Sequence, residues 1–146
     1  MYSRWIVHAV LLALAAAALA AGCSAGSGPY PVSGKLVYDD GQPASDLAGG
    51  DVVFISDELK ISSTGEIDSK GRFQLTMSHS GDGTLPGRYK VVILPPPPPE
   101  NPKQKAPKVA LLSKYTEASK TDLTATVEPQ PNELTLTIAR TKMKAR

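Results

Sequence analysis

The sequence predicts an all-β protein: a single small antiparallel β-sandwich of about seven strands behind an N-terminal lipoprotein signal peptide. Three observations predict it. Downstream of residue 30 the apolar residues recur with period two rather than 3.6. Clusters of Gly, Pro, Asp and Asn cut that region into short runs. Residues 1–23, MYSRWIVHAVLLALAAAALAAGC, place one basic residue, Arg4, ahead of an unbroken apolar run over 9–21 that leads to the single cysteine of the chain, Cys23.

The apolar run is shorter than the roughly 20 residues a spanning helix needs, which makes it a signal h-region. Ala20-Ala21-Gly22-Cys23 then reads as a lipobox. Small residues let the extended backbone enter a peptidase groove, with cleavage between Gly22 and Cys23. The Cys23 sulfur would carry a diacylglycerol and its new amine a further acyl chain, enough lipid for stable membrane anchoring. Position −3 is Ala20 rather than the usual Leu. The residue after the cysteine is Ser24 rather than Asp, which by Gram-negative sorting rules favours the outer membrane. In the competing readings Cys23 is incidental, or the segment stays uncleaved.

Removing residues 1–22 leaves 124 of 146 residues, one modest domain. Arg4 leaves with the signal, so 15 basic side chains face 14 acidic ones. That balance offers no footprint for nucleic acid. Once Cys23 is modified no thiol remains, which excludes a disulfide framework and a Cys metal site. Residues 23–29 read as a flexible tether, 30–140 as the sandwich, and 141–146 as a basic tail.

The first strand is PVSGKLVY, with Val32, Leu36 and Tyr38 on one face, and Asp40-Gly41 turns after it. DVVFIS follows Gly49-Gly50 and is apolar on both faces, so both are expected to be covered. A weaker strand spans 61–67. Ser69-Lys70-Gly71 turns into RFQLTMS, with Phe73, Leu75 and Met77 inward. After the loop SGDGTLPG comes RYKVVIL, with Tyr89, Val91 and Ile93 inward. Gly71 and Gly87 suit positive-φ turn positions. Five consecutive prolines at 95–99, with Pro102 and Pro107 close behind, lack amide donors and fix φ. They end the strand and form a polyproline II segment within a proline-rich loop, 95–107. LTATVE and ELTLTIA close the fold around a turn at Gln130-Pro131-Asn132. The one helical hint is a possible turn near 110–114.

VSGKLVYDDGQP at 32–43, IDSKGRFQL at 67–75, LPGRYKVVI at 85–93, and then KYT, LTATV and NELTLTI resemble, in that order, the carboxypeptidase regulatory-like, transthyretin-like domains. With the lipobox, the whole is similar to small bacterial lipoproteins carrying such a domain alone. The resemblance implies a seven-stranded transthyretin-like or Ig-like sandwich and no catalytic residues. The proline-rich insert departs from the pattern. Hydrolases of the transthyretin fold use several His and Arg residues and a C-terminal tyrosine motif. This chain keeps one histidine and ends TKMKAR.

That histidine, His79, sits beside Ser78, Ser80 and Asp82, but triads assemble in space rather than from strand neighbours. It reads as a solvated loop residue. Asp39, Asp40, Asp46 and Asp51 lack EF-hand spacing and read as turn and solvating residues. Tyr89 suits a sandwich corner, ring buried and hydroxyl bonded to backbone. The proline run admits several roles: a ligand for an aromatic groove, a spacer protecting a strand edge, or an insertion in a permissive loop. The last is favoured. Lys103, Lys105, Lys108 and Lys114 beside it suit anionic envelope polymers.

Two functions follow as expectations. The first is a non-catalytic, lipid-anchored envelope module, structural or protein-interacting, with membrane lipid bound through Cys23 and an envelope protein or polysaccharide as partner. The alternative is a carbohydrate-binding accessory module of the periplasm or cell surface, which needs exposed aromatics for sugar stacking. Tyr30 and Tyr115 are its candidates. No cofactor and no metal is expected.

Overall fold

The computed structural model describes residues 28–101 and 103–141. The signal segment 1–22, its junction at Gly22 and Cys23, most of the tether and all but the first residue of the basic tail lie outside them. Seven strands occur among the described residues: β1 Val32–Tyr38, β2 Asp51–Ser56, β3 Ile61–Glu66, β4 Arg72–Gln74, β5 Gly87–Leu94, β6 Thr124–Val127 and β7 Asn132–Ile138. They form two sheets, ordered β4-β1-β7 and β3-β2-β5-β6. The all-β sandwich of the sequence reading is present.

Alternation builds the core. Val32, Leu36 and Tyr38 of β1 are buried, as are Val52 and Phe54 of β2 and Tyr89, Val91 and Ile93 of β5. Phe73 is the inward residue of β4, and Leu136 and Ile138 close the layer from β7. The rings of Phe54 and Phe73, 6.2 Å apart, make aromatic contact between the sheets, and that of Tyr89 lies 5.8 Å from Phe54 on the neighbouring strand of the same sheet. On the outer face of β2, Val53 and Ile55 are half-buried rather than fully covered.

Two details depart from the expected pattern. The pairing of β1 with β7 is parallel, from Val32↔Asn132 to Tyr38↔Ile138, while every other strand pair is antiparallel. First and last strands need no hairpin between them, so nothing local forces them antiparallel. The strand RFQLTMS is also short: β4 ends at Gln74 and Met77 is half-buried. Its later amides turn away toward the Asp82 carboxylate.

Gly71 and Gly87 have φ of +71° and +155°. At Gly71 the turn also needs room, because a Cβ there would stand 2.8 Å from the Leu36 carbonyl oxygen. The proline run leaves β5 without further strand structure; the chain then crosses to the end of β7, where Leu111 bridges Arg140, and returns to pair as β6 beside β5 in the same sheet. This crossover carries a 3-10 turn, Ser113–Thr116, just beyond the expected position.

Candidate functional site

The sandwich has two ends. At the entry end, Tyr30 exchanges backbone hydrogen bonds with Thr84 (2.8 and 3.1 Å) just before β1 begins. β1 then runs seven residues, about 20 Å, to the far end. There Ala44 donates to the Leu36 carbonyl, and Gly50 lies against Leu94 and Pro96. The proline run leaves from that far end.

A side-chain clamp organises the far end. The Tyr38 hydroxyl reaches both oxygens of Asp46, at 2.9 and 2.8 Å. Asp46 also accepts the Ala110 amide at 2.9 Å, which ties the crossover to the 3-10 turn Ser45–Leu47. The Arg140 guanidinium lies 4.1 Å over the Tyr38 ring and 3.5 Å from Asp40. Burial, then the hydrogen bond to Asp46, pushes the Tyr38 phenol well above its ordinary value of 10.0. The clamp therefore keeps a neutral phenol and a carboxylate engaged on three sides.

At the entry end, Asp82 accepts the amides of Met77, Ser78 and His79 at 2.8, 3.0 and 2.9 Å. Those bonds, the Met77 amide first, hold its carboxyl below the ordinary 3.8. The His79 side chain is 91% exposed, with Nδ1 3.9 Å from Asp82. Asp82 thus shapes the loop, and no hydrogen bond among the described residues joins the His79 ring to a serine. Nor do three His, Cys, Asp or Glu side chains gather anywhere among the described residues to hold a metal ion. Asp40 instead accepts the Gln42 amide at 3.0 Å, the turn role expected of it.

Two open clefts lie on the outer sheet faces. One, about 510 Å³, is lined by Lys35, Glu66, Asp68, Arg72 and Glu133, and holds an Arg72–Asp68 ion pair at 2.9 Å. The other, about 420 Å³, is lined by Ile55, Asp57, Arg88, Lys90 and Thr126, with Lys90 3.1 Å from Asp57. Each mixes both signs of charge, so neither concentrates a field on one kind of ion.

The sugar-stacking assignment of Tyr115 is overturned. Its ring is 4% exposed and part of the core, and its hydroxyl accepts the Ala139 amide at 3.0 Å. It seals the crossover against the chain beyond β7. Tyr30 is half-buried. Tyr38, Phe54, Phe73 and Tyr89 are buried too, so the described residues present no exposed aromatic platform. Lys103, Lys105 and Lys108 are exposed, whereas Lys114 bonds Asp122 at 2.7 Å and lies 4.7 Å from the Tyr115 ring. Sequence reasoning missed the Tyr38–Asp46–Ala110 clamp. Its one local signal was a tyrosine on the buried face eight positions ahead of an aspartate in a turn.

Fold and surface together define a small β-sandwich domain. No family model and no curated protein matches the sequence. One solved structure, a DUF3823 family protein from Parabacteroides merdae, is similar at 12% identity with a TM-score of 0.45. The match covers 79% of this chain and 48% of that one, so the chain spans about half the length of that structure.

Proposed function

We propose that the chain is a lipid-anchored cell-envelope protein whose transthyretin-like sandwich is a non-catalytic structural or protein-interaction module. The observation that carries this reading is the polarity of the sandwich. The chain enters at Tyr30, seven residues after Cys23, and the proline run leaves at the opposite end. A lipid on Cys23 would hold the entry end near the bilayer. The proline run and exposed Lys103, Lys105 and Lys108 would then be displayed away from it. A polyproline II segment is already extended, so a partner orders it at low entropic cost. Ser24 favours the outer membrane for that anchor under the Gram-negative sorting rule. The carbohydrate-binding alternative keeps only the half-buried Tyr30 of its two stacking candidates, because Tyr115 lies in the core.

The test is the intact mass of the membrane-extracted protein beside a Cys23→Ala variant. The expected result is an N-terminus at Cys23 with added acyl mass, lost in the variant. A soluble mature protein without added mass refutes the anchor. Turnover of a substrate by the purified mature protein refutes the non-catalytic part.

A further inference from the structure

Strand β7 ends the three-stranded sheet, and its free edge has a defined hydrogen-bonding pattern. Asn132 donates to the Pro31 carbonyl and Asp39 donates to the Ile138 carbonyl, so the even-numbered residues of β7 face β1. The odd-numbered residues face away. Two of these, just past the strand, are already satisfied: Ala139 donates to the Tyr115 hydroxyl and Thr141 to the Ala110 carbonyl. The crossover therefore seals the upper part of the edge. The amides and carbonyls of Glu133, Thr135 and Thr137 meet no other strand among the described residues.

Below that sealed part the edge has few of the usual protections. Residues 133–137, ELTLT, contain no proline, no lysine and a single charge. Thr135 and Thr137 are exposed, and Leu134 is half-buried at the core margin. The other strand edges are shorter or partly covered: β4 has three residues, β6 has four, and β3 is bridged by Thr76 at Thr64.

We propose that β7 pairs antiparallel with β7 of a second copy of this chain, with Thr135 on the twofold axis. The register follows from the side chains and the bonding parity. With Thr135 opposite Thr135 of the second copy, Glu133 faces Thr137 in both directions, and the three pairs exchange both of their hydrogen bonds. Leu134 then lies opposite Leu136 of the second copy, which covers its exposed part. Centring on Glu133 would oppose two carboxylates. Centring on Leu134 or Leu136 loses one of the three bonded pairs, and the latter also directs Glu133 at the Ala139 amide already taken by Tyr115. A twofold contact of this kind uses one surface twice and closes on itself. The pairing makes one six-stranded sheet, β4-β1-β7-β7-β1-β4, and is independent of the anchoring of Cys23.

Single-cysteine variants of the full chain, built on Cys23→Ala, test it. Two facing bonded residues stand about 5.5 Å apart at Cα, within disulfide reach. Thr135→Cys is expected to give a disulfide-linked dimer under mild oxidation. Glu133→Cys or Thr137→Cys alone places like positions more than about 13 Å apart and is expected to give none, while the double variant cross-links. Thr135→Pro removes the central outward amide, a change an edge strand tolerates, and is expected to weaken association about tenfold or more. A monomer at all concentrations in sedimentation, equal cross-linking at all three positions, or cross-linking only to a different protein would overturn the proposal.

Discussion

The Tyr89 hydroxyl donates to the carbonyl of Leu85, four residues earlier, at 2.7 Å. With its one hydrogen committed there, the 3.1 Å contact to Thr84 fixes the Thr84 hydroxyl as donor to Tyr89. Ser63 in turn donates to Thr84 at 2.7 Å. A buried one-way chain, Ser63 to Thr84 to Tyr89 to Leu85, thus links β3, the loop before β5 and β5 itself. No buried side-chain donor or acceptor among the described residues is left without a partner. Tyr89→Phe is therefore expected to destabilise the fold by about 1–2 kcal/mol, read as a lower urea midpoint. A double-mutant cycle with Thr84→Val should show coupling. Additive losses would mean the hydroxyls do not act as one network.

Gly34 stands where three strands converge. A Cβ there would lie 2.5 Å from the Leu134 carbonyl oxygen and 2.6 Å from the Phe73 ring. The ring has some freedom to shift. The carbonyl belongs to the β1–β7 ladder and does not. Gly34→Ala is expected to cost about 2 kcal/mol or more. Gly28, with nothing within 4 Å of its Cβ position, is the control and should be near neutral. Equal midpoints for the two variants in chemical denaturation would refute the close approach.

Much of the sandwich was legible because alternation is local. Val32, Leu36, Tyr38, Phe73 and Tyr89 announce their faces within a few residues, and Tyr89 announces its corner through the preceding Pro-Gly turn. The parallel β1–β7 pairing was not legible, since it joins residues about a hundred positions apart and no local turn encodes it. Tyr115 was misread for the same reason. Its segment does not alternate, and it is buried because Asp46, Ala139 and Arg140 hold the crossover down from distant positions. The strand around Met77 was overextended because Asp82, five residues ahead, outcompetes the ladder for its amide.

Asp82 also sets an acid response. Its folded carboxyl lies below the ordinary 3.8 because three amides stabilise the charged form. A lowered carboxylate contributes stability above the unfolded value, and that contribution disappears as pH falls through the folded value. The stability difference between the native chain and Asp82→Ala is therefore expected to be constant above about pH 5 and to narrow steadily below pH 4. Urea midpoints measured across that range check it. A gap that stays constant into strong acid would mean the amide contacts do not favour the ionised form.

The far-end clamp sets the opposite, alkaline response. Burial first, and then the bond to Asp46, raises the Tyr38 phenol above its ordinary 10.0. Burial also raises Tyr89. A raised group keeps its full contribution below the unfolded value, and the contribution is lost as pH rises toward the folded one. Stability should therefore be flat to about pH 9 and fall above pH 10, with less slope in Tyr38→Phe. Absorbance at 295 nm should show these phenols resisting ionisation until the chain unfolds. Asp46→Ala frees the Tyr38 hydroxyl and the Ala110 amide together, so it should lower the Tyr38 titration and speed hydrogen exchange at Ala110. Ionisation of Tyr38 at pH 10 in the folded native chain would show that neither burial nor Asp46 holds the phenol neutral.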